Sequence, residues 1–146
     1  MADLFWWATE TIPPSIYSNY LAFRNFMEGI PLNNGRFKDI QSLPSDPSLR
    51  AWGQGDDQSG SFHLWIQNIQ HTWKRVVYGP DVLPVSGSVT LLNIPEGSYG
   101  VDWWDTYATV NSIFLTQTLV SHNNTLTLTL PAPLSSDVAV KITRLP

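Results

Sequence analysis

The sequence predicts a mainly β protein: an antiparallel β-sandwich of about eight strands, preceded by one strand and one α-helix. Short segments with period-two alternation recur from residue 49 onward and are separated by turn sequences such as Pro95-Glu96-Gly97. A single segment with helical spacing lies before them. Seven of the 146 residues are tryptophan, although only 14% of residues are charged. This much indole predicts either a large aromatic core or flat platforms for a planar ligand such as a sugar ring.

The first element is a strand expected at residues 3–12. Its apolar run contains Trp6 and Trp7 and becomes polar at Glu10. A continuous apolar run of this length indicates a strand buried on both faces. Such a strand needs neighbours on both sides, unlike a strand of an isolated hairpin.

A helix follows this strand and completes a unit predicted for residues 1–31. The Pro13-Pro14 pair favours a helix start, and Gly29 ends the helical spacing. The apolar positions form a stripe too wide for one neighbour, so we expect the helix to pack on two sides. These positions are Ile16, Tyr17, Tyr20, Leu21, Phe23, Phe26 and Met27.

Residues 32–48 are predicted to form a linker because they are rich in Asn, Gly, Pro and Ser. Residues 49–146 are predicted to form the sandwich. Its strands are expected at 49–53, 61–68, 72–78, 86–92, 98–105, 112–120, 124–130 and 136–143. Alternation marks the inward faces of the last two strands. They are Leu126, Leu128 and Leu130, and Val138, Val140 and Ile142, with Ala139, Lys141 and Thr143 opposite the second set.

Several phrases of the chain resemble the C-terminal region of a (β/α)8-barrel glycoside hydrolase of the cellulase-like type. The opening LFWWATETIPPSIYSNYLAFRNFMEGI resembles the last strand and helix of the barrel. The later phrases resemble the appended β-sandwich, in which a strand carrying WxD follows a G-x-Y turn. They are LRAWGQGDD, FHLWIQNIQHTW, PVSGSVTLLNIPEGSYGVDWWDT and LTLTLPAPLSSDVAVKI. The resemblance implies one final β/α unit followed by the sandwich.

The resemblance does not supply catalytic residues. Retaining enzymes of this kind carry two carboxylates about 5 to 5.5 Å apart at the ends of earlier barrel strands, and those strands are missing here. In an intact barrel, Trp6, Trp7 and Glu10 would lie at the catalytic face, so here they are a possible subsite remnant. The alternative, a complete small glycosidase, would need Glu10 and Asp105 as its two carboxylates. The only support for this pair is that both residues lie near tryptophans in the sequence.

Trp65 is the first candidate for a sugar platform. Alternation in its strand directs one set of side chains inward and another set outward. The inward set is Phe62, Leu64 and Ile66, and the outward set is His63, Trp65 and Gln67. An outward Trp beside His and Gln is typical of a carbohydrate-binding surface. The favoured alternative is that Trp65 covers a contact with the barrel or the helix, because such interfaces are also rich in Trp.

Trp73 and Trp104 are further platform candidates. Tyr99, Val101 and Trp103 share one strand face, so Trp103 is expected in the core and Trp104 on the outer side. Trp73 lies between a His-Thr and a Lys-Arg pair and could stack under a sugar or a cation.

Composition excludes several function classes. The net charge of −4 opposes nucleic-acid binding. Nucleotide-binding and zinc-protease motifs are absent from the sequence, and no cofactor is expected. The apolar run at residues 4–8 is too short to span a bilayer and lacks a basic leader, so neither a membrane helix nor a signal peptide is expected, although the resembled family is usually secreted. There is no cysteine, so there is no disulfide.

No metal site is expected. Asp56 and Asp57 could contribute to a calcium loop, but a solvated turn is the favoured interpretation. The histidines at positions 63, 71 and 122 match no zinc spacing.

These observations favour a non-catalytic accessory or carbohydrate-binding β-sandwich whose partner is a polysaccharide such as a β-glucan. The alternative is a structural or self-assembling protein that uses its aromatic surface for protein contacts. Because full exposure of the aromatic residues in 1–30 is unfavourable, we expect this segment to pack on the sandwich or to form a homo-oligomer or a complex with a partner chain.

Overall fold

Two antiparallel sheets form the framework of the computed structural model, which describes residues 17–108, 110 and 112–146. The described strands are β1 (Lys38–Asp39), β2 (Ser42–Pro44), β3 (Leu49–Asp56), β4 (Ser61–Asn68), β5 (Ser88–Leu92), β6 (Gly97–Trp104), β7 (Ile113–Ser121), β8 (Thr125–Thr129) and β9 (Asp137–Arg144). The larger sheet has the order β1-β3-β4-β9-β6-β7, and the smaller has the order β2-β5-β8. The predicted mainly β, antiparallel class is confirmed.

Two helices accompany the sheets in the described residues: α1 (Tyr17–Met27) and α2 (Trp73–Tyr78). A short 3-10 turn, Leu32–Asn34, follows α1. The predicted helix is therefore present up to its expected end near Gly29. The strand predicted at 3–12, with Trp6, Trp7 and Glu10, lies outside the described residues.

The strand predicted at 72–78 is wrong, because this segment forms α2. The Thr72 side chain accepts a hydrogen bond from the Arg75 backbone N–H at 3.2 Å and caps the helix. None of the α2 residues is buried, so the β-branched Val76 and Val77 have no sheet face to join. Local capping outweighs β propensity when no neighbouring strand is available.

The segment 32–48, predicted as a linker, contributes a strand to each sheet. β1 pairs with β3, and β2 pairs with β5. The other strands predicted from residue 49 onward are present close to their expected positions, and β4 has the predicted bounds. The segment therefore packs as part of the sandwich.

The core lies between the two sheets and uses the faces that alternation predicts. Its fully buried members include Leu64 and Ile66 from β4, Val101 and Trp103 from β6, and Leu128 from β8. Residues of both sheets belong to one continuous cluster. Burial of one face makes the register of each strand strongly specified.

A buried carboxylate holds the 3-10 turn against the β3–β4 hairpin. Asp56 is only 1% exposed and accepts bonds from Arg36 Nε at 2.9 Å, Asn34 Nδ2 at 3.1 Å, Ser59 Oγ at 2.8 Å and the Gln58 N–H at 3.1 Å. Burial acts to raise the pKa of Asp56, but these hydrogen bonds outweigh it and hold the pKa below its ordinary value. Asp56 is therefore a structural anchor.

This network corrects the solvated-turn interpretation of Asp56, while Asp57 beside it is exposed. The calcium alternative also loses its support, because the Asp56 oxygens already accept hydrogen bonds from a guanidinium, an amide and a hydroxyl. Among the described residues, no group of three or more His, Asp or Glu side chains could hold a metal ion.

We expect Ile66→Ala to reduce the free energy of unfolding by about 2–5 kcal/mol, because Ile66 is fully buried and truncation leaves a cavity. Ile69→Ala is the matched control: Ile69 is 42% exposed, and its loss is expected to cost less than about 0.5 kcal/mol. Urea unfolding of both variants measures the difference. Equal losses of unfolding free energy in Ile66→Ala and Ile69→Ala would contradict the placement of Ile66 in the core.

We expect the stability contributed by Asp56 to be present above its unfolded pKa of 3.8 and to be lost as pH falls through its lower folded value. Asp56→Asn should therefore lower the urea midpoint at pH 7 and flatten the decline of the wild type below pH 4. Asp57→Asn, at the exposed neighbour, is the control. The same acid dependence in the wild type and in Asp56→Asn would contradict the assignment.

Candidate functional site

Strand register brings three tryptophans into one row on the outer face of the larger sheet. Trp52 pairs with Trp65, Trp65 with Ala139, and Ala139 with Trp104. Directly opposed side chains in antiparallel strands are close neighbours. The result is an aromatic row that crosses β3, β4, β9 and β6, interrupted by one small residue.

Polar rows flank this aromatic row on both sides. On one side, pairing aligns Asp39, Gln54, His63, Lys141 and Asp102 across the sheet. On the other side, it aligns Arg50, Gln67 and Asp137. Arg50 donates two hydrogen bonds to Gln67 Oε1, at 2.9 Å and 2.6 Å. The outer face therefore combines an apolar stripe with hydrogen-bonding borders.

Helix α1 lies on this face. Its residues Ala22 and Phe26, one turn apart, are both buried. The Phe26 ring contacts Trp104 edge-on, with centroids 5.6 Å apart, and His63 with centroids 6.5 Å apart. Ala139 belongs to the outer row and is nevertheless buried. The helix therefore packs on the sandwich, as expected for the segment 1–30 in its described part.

Lys141 ties the C-terminal end of α1 to β9. Its Nζ donates to the Glu28 carbonyl at 2.9 Å and lies 4.6 Å from the Trp104 ring centroid and 5.4 Å from that of Phe26. A cation at this end of a helix is favourable because the last carbonyls carry partial negative charge. Burial lowers the pKa of Lys141, and the charges of Asp102 and Glu28 oppose this in part.

Two cavities share Phe23, Phe26 and Trp65 and extend from α1 in opposite directions along the sheet. The first, which we call the β3 groove, has a volume of about 540 Å³. Its lining consists of Phe23, Phe26, Met27, Leu32, Asp39, Ile40, Trp52, Gly53, Gln54, His63, Leu64 and Trp65. The second, the β6 pocket, has a volume of about 250 Å³. Its lining consists of Ala22, Phe23, Phe26, Trp65, Trp104, Asp105, Thr106, Tyr107, Asp137 and Ala139.

The structure brings four of the predicted binding residues together. Trp65 is half-buried and lines both cavities, and His63 lines the β3 groove. Gln67 follows on the same face of β4 and is held by Arg50. Trp104 is on the outer side of β6, as predicted relative to Trp103, but Phe26 and Lys141 cover much of its ring.

The other predicted residues lie elsewhere. Trp73 is 73% exposed on α2, contacts Tyr78 edge-on at 6.1 Å, and lines neither cavity that contains Trp65. Trp6, Trp7 and Glu10 are outside the described residues. Of the two carboxylates in the alternative Glu10–Asp105 pair, only Asp105 is therefore described. It is an exposed residue that lines the β6 pocket.

Trp52 is the functional candidate that the sequence reasoning missed. Trp52 is 47% exposed, and the Arg50 guanidinium lies 4.9 Å from its ring centroid. This contact fixes the ring while leaving much of it accessible. The missed signal was the hairpin: Asp56 pairs with Ser61 across the turn, and counting back from that pair sets Trp52 opposite Trp65.

The surroundings of His63 favour its neutral form. Burial is the main cause that lowers its pKa below the ordinary value, and the charge of Lys141 lowers it further. A neutral imidazole can donate one hydrogen bond and accept another. The β3 groove therefore presents uncharged His63 and Gln54 beside its two tryptophans.

We expect Phe26→Ala to release α1 from the sheet, because Phe26 makes the ring contacts that hold it. Hydrogen exchange of the amides in residues 20–28 should accelerate about tenfold or more, while β4 and β9 stay protected. Phe23→Ala, at a 59% exposed position of the same helix, is the matched control. Unchanged exchange in Phe26→Ala, or equal acceleration in both variants, would contradict this docking.

A scan of protein-family models, a search of curated proteins and a search of solved structures each return no match to this chain. Within the described residues, no helix is long and apolar enough to cross a membrane. The row of aromatic side chains and its two cavities form the candidate functional surface of the described residues.

Proposed function

We propose that this chain is a non-catalytic β-sandwich accessory domain that binds an uncharged polysaccharide, such as a β-glucan, in the β3 groove. The observation that carries this proposal is the placement of Trp52 directly opposite Trp65 at an open groove. Two adjacent indoles offer an extended apolar surface to the C–H faces of sugar rings. The resemblance of the chain to the C-terminal region of a cellulase-like glycoside hydrolase points to the same class of ligand.

The borders of the groove suit hydroxyl groups. Gln54 Nε2 donates to Asp39 Oδ1 at 3.3 Å, which leaves the Gln54 carbonyl oxygen as an acceptor. His63 can offer its Nε2 atom, because its Nδ1 atom is buried without a hydrogen-bond partner among the described residues. Sugar hydroxyls both donate and accept, so a few fixed groups of this kind orient a ring stacked on tryptophan.

The groove favours binding without hydrolysis. Glycoside hydrolysis ordinarily needs two carboxylates flanking the bond, about 5 to 9.5 Å apart. Asp39 is the single carboxylate among the described residues that line the groove. The open shape of the groove also buries little ligand surface, so affinity is expected to be weak.

A second candidate function, protein assembly, is favoured by the exposed apolar surface of α2. Trp73, Val76, Val77 and Tyr78 are all exposed there. A contiguous exposed apolar patch often marks a protein–protein contact. In that role the chain would be a structural or self-assembling component, and polysaccharide would not bind to it.

We expect soluble β-glucan to retard the wild-type chain in affinity electrophoresis. Trp52→Ala and Trp65→Ala should each weaken this retardation about two- to tenfold, the loss expected for one aromatic contact. Trp73→Ala is the matched control and should behave as wild type, because Trp73 lies outside the groove.

Circular dichroism of each variant controls for folding, which matters most at the half-buried Trp65. If no neutral polysaccharide retards the wild type, the assembly role replaces the carbohydrate-binding role. A loss in Trp73→Ala equal to that in Trp52→Ala would move the binding surface away from the β3 groove.

A further inference from the structure

The β6 pocket differs chemically from the β3 groove, although Trp65 lines both. Five aromatic side chains contribute to its walls: Phe23, Phe26, Trp65, Trp104 and Tyr107. Its volume of about 250 Å³ is below the range of about 300–1,000 Å³ typical of drug-sized ligands. The pocket is therefore suited to one small ring or a smaller group.

Two carboxylates, Asp105 and Asp137, also line this pocket. Asp105 Oδ1 accepts the Tyr107 backbone N–H at 2.8 Å, and Asp137 Oδ1 accepts a hydrogen bond from the Thr106 hydroxyl. Among the described residues, neither carboxylate lies within salt-bridge distance of a basic nitrogen, and the pocket lining contains no Lys or Arg. The pocket thus combines aromatic side chains with two carboxylates that have no salt-bridge partner among the described residues.

The pKa of Asp137 is consistent with a carboxylate that lacks a salt-bridge partner. Burial raises its pKa above the ordinary value and the charge of Asp105 raises it further, while the Thr106 hydrogen bond and His71 oppose this. The carboxylate is thus placed in poorly solvating surroundings without a full cationic partner. A bound cation would compensate it.

We propose that the β6 pocket binds a small organic cation, an ammonium group carried on a body no larger than one sugar ring. Aromatic faces attract ammonium groups through the ring quadrupole, most strongly where water is excluded. Asp105 and Asp137 supply the opposite charge, and Phe23 and Tyr107 supply apolar contact to the body of the ligand.

Two sources could provide this chemistry: the protonated amine of an amino sugar, or a quaternary alkylammonium such as choline. The positive charge is the required feature in both. Acetylation of the amine of an amino sugar removes that charge and should abolish binding in this pocket. The ammonium of Lys141 donates to the Glu28 carbonyl and lies 4.6 Å from the Trp104 ring centroid, but Lys141 does not line the pocket.

The test is to titrate the full chain with four probes and to measure binding by ligand-observed NMR and by calorimetry. These are the trisaccharide of glucosamine, of which one ring would enter the pocket, its fully N-acetylated counterpart, choline and glucose. We expect the first, choline or both to bind, with affinity that falls as salt is raised. Binding of the glucosamine trisaccharide alone identifies an amino sugar, and binding of choline alone identifies an alkylammonium.

Three variants locate the binding. Asp137→Asn and Asp105→Asn should each weaken cation binding about fivefold or more, and Asp81→Asn, at an exposed position outside the pocket lining, should leave it unchanged. Asp105 is exposed, so Asp105→Asn keeps the test valid if Asp137→Asn fails to fold.

The proposal is overturned if none of the cationic probes binds, if the acetylated trisaccharide or glucose binds as well as the cations, or if all three variants behave alike. These outcomes are distinct from failure of the proposed function, which is measured with neutral β-glucan and Trp52→Ala.

Discussion

The outer surface of this protein depends on the register of β4 within the larger sheet. Phe62, Leu64 and Ile66 are buried in the core. Their burial fixes which side chains of β4 point inward and which point outward. A slip of one residue against β3 and β9 would turn Trp65 inward and expose these three apolar side chains. The aromatic row, both cavities and the docking of α1 therefore follow from core packing on the opposite side of the same strand.

Helix α1 converts one flat aromatic surface into two separate cavities. Phe26 and Lys141 engage Trp104, so this indole serves in packing. Trp65 lies at the boundary and lines both cavities, while Trp52 remains largely accessible. Of the two interpretations of outward tryptophans, packing at an interface describes Trp104, and the proposed ligand platform concerns Trp52 and Trp65.

Two aspartates illustrate how surroundings assign different roles to the same side chain. Asp56 receives bonds from a guanidinium, an amide and a hydroxyl, and its pKa lies below the ordinary value. Asp137 receives a hydroxyl bond and is otherwise poorly solvated, so its pKa lies above the ordinary value. The first is satisfied within the fold and stabilises a turn. The second retains the capacity to bind a positive group.

The sequence by itself determined the fold class, most of the strands and, for β4, β6, β8 and β9, the side that faces the core. This was possible because alternation is local: side chains two residues apart share one face of a strand. Because Leu64 and Ile66 face the core, Trp65 between them must point outward. The same logic separated Trp103 from Trp104. Alternation could not identify α2. In this segment Thr72 caps a short helix, and the β-branched Val76 and Val77 have no neighbouring strand to pair with.

Only the tertiary structure decided which outward residues meet. The opposition of Trp52 and Trp65 depends on hairpin register, and the row through Ala139 to Trp104 depends on β9 lying between β4 and β6, although β9 is the last strand in the chain. The partly covered state of Trp104 depends on a helix more than seventy residues away in sequence. The pairing of β9 with β4 and β6 and the packing of α1 on the sheet join segments that are distant in sequence, and residue spacing along the chain does not specify them.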